Sequence, residues 1–263
     1  MSSVPFVVTA FAAEDHLTLI GTDIDTNAHK HTFLQLLISL DDKPITVTIS
    51  GQTLQTKSIL INSDVIHDVT LNNRFYWLTL INHTSPLGLC LKHQLINGEI
   101  NYIVLDYNKL ASVCKAISAQ YTSLQEKTYL VHWDNLHKKI LTQTCNLNHT
   151  IGDNRLKAIL GHLIFSQKTY HSVLDISAKI PLSPSRLSHL FSEKTGGNLK
   201  SYILFHQLIN ALFLIAKGKK VTDAAVQCGF DSASHLSSTA RKLMGIKPSF
   251  AKKISGFLKV FSS

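Results

Sequence analysis

Apolar positions recur at two different periods along the chain, and the period changes near residue 106. Before that point, short β-branched or aromatic runs stand at Leu34 to Leu40, Ile45 to Ile49, Ser58 to Ile61 and Phe75 to Ile81. Turn signals separate them: Asp41-Asp42-Lys43-Pro44, Ser50-Gly51, Asn62-Ser63-Asp64 and Asn72-Asn73. Strands at this spacing predict a sandwich or barrel. Val4 to Ala13 faintly resembles a signal-peptide core, but no Lys or Arg precedes it, and a first β-strand is the better reading. After residue 106, Leu110, Val113, Cys114 and Ile117 recur at helical spacing, as do Leu130, Trp133, Leu136, Ile140 and Leu141. They predict amphipathic helices at about 107–120 and 128–142, whose stripes must bury on the barrel or on a second subunit. Cys145 to Gly152 is polar and aperiodic and reads as a linker; from Asp153 onward the pattern is helical. The expected division is therefore 1–148, with a helical part at about 106–145, and 149–263.

Two stretches of the second half read as helix-turn-helix units. In the first, from about Val173 to Lys194, Val173, Leu174, Ile176 and Ile180 form an apolar face and Pro181-Leu182 breaks the helix. Ser183 then caps a second helix with Pro184 at its first position, where a missing N–H costs nothing. Leu187, Leu190 and Phe191 face inward, leaving Ser185, Arg186, Ser188, His189 and Ser192 outward, and Gly196-Gly197 ends the helix. In the second, from about Val221 to Met244, Ala224 and Ala225 allow close packing, Gly229 suits a left-handed turn and Phe230 plugs the core. Asp231-Ser232 caps the next helix. Leu236, Ala240 and Leu243 point inward; Ala233, Ser234, His235, Ser238, Thr239, Arg241 and Lys242 point outward. A long apolar helix, Leu199 to Lys217, joins the units. At a separation of about 34 Å both outward faces would enter successive major grooves of B-DNA.

Charge sharpens this picture. Residues 1–150 hold 10 Lys+Arg against 12 Asp+Glu, whereas residues 151–263 hold 16 against 5, so net charges of −2 and +11 make up the chain's +9. All the excess positive charge lies beside the helix-turn-helix units, as a polyanion-binding surface requires. Cys90, Cys114, Cys145 and Cys228 form no CxxC pair, so neither a zinc knuckle nor a disulfide is expected, and a reducing cytoplasm fits. No uninterrupted apolar run reaches the roughly 18 residues that span a bilayer, and no membrane partner is expected.

The residues LSPSRLSHLFSEKTGGNLKSYI, LINALFLIAKGKKVTDAAVQCGFDSASHL and GIKPSF, with the spacing of Phe191, Gly196, Ala211, Gly229-Phe230, Gly245 and Pro248, resemble the AraC/XylS family of bacterial transcription regulators over Asp153 to Ile254. The resemblance implies base-reading roles for Ser185, Ser188 and His189 in the first unit and for Ala233, Ser234, His235 and Ser238 in the second. Arg186 joins them on chemistry, since it can pair with guanine or phosphate, and Arg241 and Lys242 are backbone contacts. Gln207, Lys220, Ala224, Leu236, Ser238 and Ala240 depart from the usual pattern, which makes the second unit the weaker reader. The resemblance also implies a cupin-like β-barrel sensing a small molecule, followed by dimerisation helices.

In that half, His29-Lys30-His31, Gln35 and later His67 resemble the metal spacing of catalytic cupins. Strand alternation would put His29 and His31 on one face, and imidazoles there suit Fe, Mn, Zn or Ni. Gln35, however, stands where the acidic ligand belongs. The reading therefore favours an organic-ligand pocket at His29, His31, Gln35 and His67, with no metal and no cofactor. No nucleophile, base and orienter can be assembled, so no catalysis is expected. The expected fold is α+β, a barrel followed by an all-α domain with two helix-turn-helix units. The expected function is a sequence-specific transcription regulator, an activator, with double-stranded DNA, a small-molecule effector, a second copy of the chain and RNA polymerase as partners, acting in the cytoplasm. The alternative gives the first half a partner protein or dimerisation alone, without a ligand; a metal-dependent cupin enzyme ranks last.

Overall fold

The computed structural model describes residues 8–13, 15–22, 26–71, 74–83, 85–96, 100–141, 172–195 and 198–260. Its strands are β1 (Val8–Ala12), β2 (His16–Gly21), β3 (Thr26–His29), β4 (Phe33–Ser39), β5 (Ile45–Ile49), β6 (Gln52–Thr56), β7 (Ser58–Ile61), β8 (His67–Thr70), β9 (Tyr76–Asn82), β10 (Tyr102–Val104) and β11 (Ile254–Lys259). Alternation is cleanest in β5, where Ile45, Val47 and Ile49 are buried and Thr46 and Thr48 are half-exposed. The Ser50-Gly51 turn, at φ 49° and 84°, joins it to β6 with the handedness that a two-residue hairpin needs.

The strands form two sheets, ordered β10-β7-β4-β9-β2-β1-β11 and β3-β8-β5-β6. Leu17, Leu19, Leu37, Leu78 and Leu80 of the larger sheet meet Val47, Ile49 and Val69 of the smaller in one core. The outer face of the larger sheet is buried as well, with Phe11, Leu36, Trp77 and Ile81 under the helices α1 (Pro86–Leu95), α2 (Tyr107–Gln120) and α3 (Glu126–Ile140). The stripes of α2 and α3, Leu110, Val113, Cys114 and Ile117 with Trp133, Leu136 and Ile140, are thus taken up by the chain's own sheet. A buried hydrogen-bond chain fixes α3 there. The Tyr129 hydroxyl donates to Thr18 Oγ1 at 2.7 Å and lies 2.6 Å from His16 Nε2; Thr18 joins Thr79 at 2.7 Å, and Trp77 Nε1 donates to Thr79 at 2.6 Å.

Helix α1 lies where the sequence reads as strand. Ser85 caps it by accepting from the Gly88 amide, and Gly88 sits so close to the end of β9 that a Cβ would fall 2.1 Å from the Asn82 carbonyl oxygen. Cys90 on α1 is disulfide-bonded, which cysteine spacing did not predict; Cys114 and Cys228 are buried and outside any disulfide.

The second half holds α4 (Val173–Ser177), α5 (Pro184–Thr195), α6 (Leu199–Ala216), α7 (Val221–Gln227) and α8 (Ala233–Met244). The expected linker and the turn at Gly196-Gly197 lie outside the described residues. Helix α6 is long and apolar enough to cross a membrane by composition, but 61% of it is buried within the protein. The segment expected to be wholly helical ends in a strand: β11 pairs in parallel with β1, Ala10 opposite Phe257 and Phe11 opposite Leu258. Lys259 Nζ donates to Asn210 Oδ1 on α6 at 2.6 Å, and Phe213 of α6 meets Phe257 edge-on at 5.5 Å. The sheet core is therefore continuous with Phe205, Leu208, Leu212, Ala225 and Leu236.

Two predictions follow from this junction. Phe257→Ala, at a site 4% exposed, should destabilise the chain by about 3–5 kcal/mol in urea unfolding; a loss below about 1 kcal/mol would show that β11 holds nothing. His206 on α6 is buried against Tyr202 and Phe205, its Nε2 has no hydrogen-bond partner, and burial with Lys259 nearby pushes its pKa down to about 3. The unfolded chain takes up this proton near pH 6.5 and the folded chain does not, so His206 lowers stability as pH falls from 6.5 toward 3. His206→Met should weaken the acid dependence of stability between pH 6.5 and 5 by about 1 kcal/mol per pH unit; an unchanged slope contradicts this.

Candidate nucleic-acid interface

Each helix-turn-helix unit is built from local signals that the structure bears out. The Ser183 Oγ accepts from the Arg186 amide at 3.3 Å at the start of α5. Ser232 accepts from the His235 amide at 3.1 Å at the start of α8. Gly229 takes φ 83° in the turn before α8, and Gly245 takes φ 67° to end that helix in the left-handed region.

Inward faces match expectation at Leu187, Leu190, Phe191, Phe230, Leu236, Ala240 and Leu243, all buried. Two positions do not. Leu174, expected in the apolar face of α4, is 65% exposed, because the five-residue α4 buries Val173 and Ile176 instead. Thr239, expected outward, is buried at 7% beside Ala240.

The outward face of α5 presents Ser185, Arg186, His189 and Ser192 to solvent, with Ser188 half-exposed. Its hydroxyls are partly engaged: Ser188 donates back to the Pro184 carbonyl at 2.9 Å. Beside this face, Ser188 and His189 share a groove with Asn198 and Lys200 from the start of α6. Asn198 accepts from the Lys200 and Ser201 amides. Lys200 and the N-terminal end of α6 thus add positive potential next to α5. Neither residue was singled out from the sequence, although an Asn ahead of an apolar helical run is a legible cap.

On α8, Ser234, His235, Ser238, Arg241 and Lys242 are exposed and Ala233 is half-buried. Asp231 pairs with His235 at 3.1 Å, and the Ser238 hydroxyl donates to the His235 carbonyl at 3.0 Å. Arg241 also borders a groove of about 480 Å³ between α8 and β3, shared with Lys247, Lys253, Phe250 and His29.

The ligand candidates of the first half come together, but not by strand alternation. His29 ends β3, whereas His31 lies in the crossing from the smaller sheet to the larger. His67 stands opposite His29 across the β3–β8 pair. Gln35 on β4 brings its Oε1 within 3.0 Å of His31 Nε2 and 3.2 Å of His67 Nε2. His31, Gln35 and His67 are all at most 3% exposed, so only His29 reaches the groove. A second cavity, of about 20 Å³, lies where Leu17, Leu19, Leu78 and Leu80 of the larger sheet meet Met244 at the end of α8 and Ile246 beyond it.

Residues 176–253, which span both units, match the family model described as "Helix-turn-helix domain". These residues therefore form a helix-turn-helix domain. A search of curated proteins finds no match. Among solved structures, the chain is similar to ToxT from Vibrio cholerae O395, with a TM-score of 0.52 at 15% identity over 95% of this chain and 97% of that one. It is also similar to a point variant of apo ToxT from Vibrio cholerae strain SCE256, with a TM-score of 0.53 at 14% identity over 92% and 98%. At these identities the likeness establishes a shared fold, a mixed-sheet domain followed by a helical helix-turn-helix domain. A helix-turn-helix domain is a DNA-binding unit, and its match supports DNA binding by residues 176–253.

The end of α8 packs closely on β3. A Cβ on Gly245 would lie 2.6 Å from three atoms of the His29 ring. Gly245→Ala should therefore destabilise the chain by more than the roughly 1 kcal/mol that its left-handed φ alone costs. In His29→Ala protein the same substitution should return to about 1 kcal/mol. Equal costs in both backgrounds would show that α8 and β3 are not in contact.

Proposed function

We propose that this regulator binds promoter DNA sequence-specifically, with α5 as the principal reader and α8 as a second, weaker one in the next major groove. The observation that carries the reading is the pairing of two capped helices with exposed polar faces, held by one buried connector in the segment that bears the +11 charge. Eighteen residues of α6 span about 27 Å, a length that suits placing two helices on one side of a duplex. Ser185, Arg186, Ser188 and His189 read bases through α5. Ala233, Ser234, His235 and Ser238 offer fewer polar atoms, with Ala233 suited to a thymine methyl. Lys242, Arg241 and Lys200 supply backbone contacts.

The division into a regulatory region, 1–148, and a DNA-binding region, 149–263, is retained as part of this reading, as is action in the cytoplasm where the DNA lies. Activation through RNA polymerase is proposed as the output. Control by a small effector is proposed for the first half, acting at the groove of about 480 Å³ between β3 and α8. The alternative, a first half that only dimerises or binds a protein, draws less support from α2 and α3, because their apolar stripes are already buried on the sheet. Dimerisation would have to use other surface, such as the exposed Val131 on α3.

Gel-shift titrations with promoter fragments test the assignment of readers. His189→Ala should weaken specific binding by about 1–3 kcal/mol and leave non-specific binding unchanged. Lys200→Ala should weaken both alike and lower the slope of log K against log salt by about 1. Unchanged specific affinity in His189→Ala would remove α5 as the reader.

A further inference from the structure

The histidines of the β-domain carry a contradiction of hydrogen-bonding that a cation resolves. Each ring has its Nδ1 against a backbone carbonyl oxygen: His29 on Asn27 at 2.8 Å, His31 on Phe33 at 3.2 Å and His67 on Val65 at 2.9 Å. A carbonyl oxygen only accepts, so each Nδ1 carries the ring proton and each Nε2 presents a lone pair. Those lone pairs converge. One ring nitrogen from each residue lies within 4.8 Å of the others, and His29 Nε2 is buried without a hydrogen-bond partner. The Gln35 Oε1, itself an acceptor, points at the Nε2 atoms of His31 and His67, while Gln35 Nε2 has no partner. Four acceptors thus face one another inside the protein.

We propose that His29, His31 and His67, with Gln35 Oε1, form a site for a divalent first-row transition metal. Neutral imidazoles and an amide oxygen suit such an ion. The carbonyls on Nδ1 are the outer-shell partners that orient a metal-binding imidazole. Tetrahedral bonds of about 2.1 Å set neighbouring donor atoms about 3.4 Å apart, so side-chain rotations that close the cluster by about an ångström complete the site. Gln35, in the position where the sequence pattern wants an acid, lowers the site's charge and makes the metal exchangeable rather than permanent. Asp68, next to His67, adds a negative charge to the surroundings of His29.

The site sits where it can be read. The His29 ring abuts Gly245, the residue that ends α8. A metal that fixes the His29 ring therefore fixes the packing at the end of the second recognition helix. This second step rests on the reading of α8 as a DNA contact; the metal site itself does not.

Full-length protein stripped with chelator and titrated with Co²⁺, then competed with Zn²⁺, tests the site without DNA. One equivalent per chain should bind, with the visible ligand-field bands of nitrogen and oxygen coordination. His29→Ala, at a half-exposed position, should fold and weaken binding on the order of 100-fold, and Gln35→Glu should tighten it by at least about 10-fold. His93→Ala, an exposed histidine outside the cluster, should bind as the unaltered chain does. The metal-free alternative is a Gln35 amide turned to donate from its NH₂. It predicts no stoichiometric binding at micromolar metal and no gain in Gln35→Glu, and either result overturns the proposal, as does full binding by His29→Ala. Hydrogen exchange tests the link to α8: Zn²⁺ should slow amide exchange over residues 241–247, and exchange unchanged by bound metal would refute that link while leaving DNA binding to the gel-shift experiment.

Discussion

The parallel pairing of β11 with β1 governs how the two halves of this molecule relate. Ser255 Oγ donates to the Val8 carbonyl at 3.2 Å, and the Val260 amide donates to the Ala12 carbonyl at 2.9 Å. The end of the chain thus adds a strand to the sheet its beginning started. Parallel strands are buried structures that need a long connection, and here the connection is nearly the whole protein. The result is one apolar core running from the facing sheets into α6, α7 and α8. The second helix-turn-helix unit is therefore built onto the β-domain rather than hung from it.

The first unit has a different footing. Val173, Ile176, Leu187, Leu190 and Phe191 close around Leu199, Tyr202 and Ile203 at the start of α6 as a small core of their own. Among the described residues this small core meets the rest through α6, whereas the second unit shares the large core. The described parts of the two units thus differ in what they pack against. In the proposed reading, the first presents the polar face, with Arg186 and His189, that reads bases. In the same reading the second, with fewer polar atoms and packed on the β-domain, sets register and receives whatever signal the first half carries.

Local features were legible in the sequence. The alternation of β5, the caps at Ser183 and Ser232 and the left-handed Gly229 and Gly245 each depend on a few neighbouring residues. What escaped depends on distant ones. The segment 254–259 has no strand pattern strong enough to compete with the helical reading around it; its partner lies nearly 250 residues away. Helix α1 was hidden because Pro86 and Gly88 look like turn residues until Ser85 caps the helix and the chain needs a close approach to β9. Leu174 and Thr239 were misplaced because periodicity gives a face but not its exact edge, and short helices leave few residues to fix it. The histidines were found, but for a reason that does not hold: they meet at a crossing between sheets, not along one strand.

The central claim is that two recognition helices, joined by α6, meet successive major grooves on one face of DNA. Hydroxyl-radical footprinting of the full chain on a bound promoter fragment tests it most directly. The account predicts two protected windows about 10 base pairs apart on the same face, the one facing α5 losing protection first as salt rises only in His189→Ala protein. A single protected window of one helical turn, or protection spread evenly without phase, would contradict it.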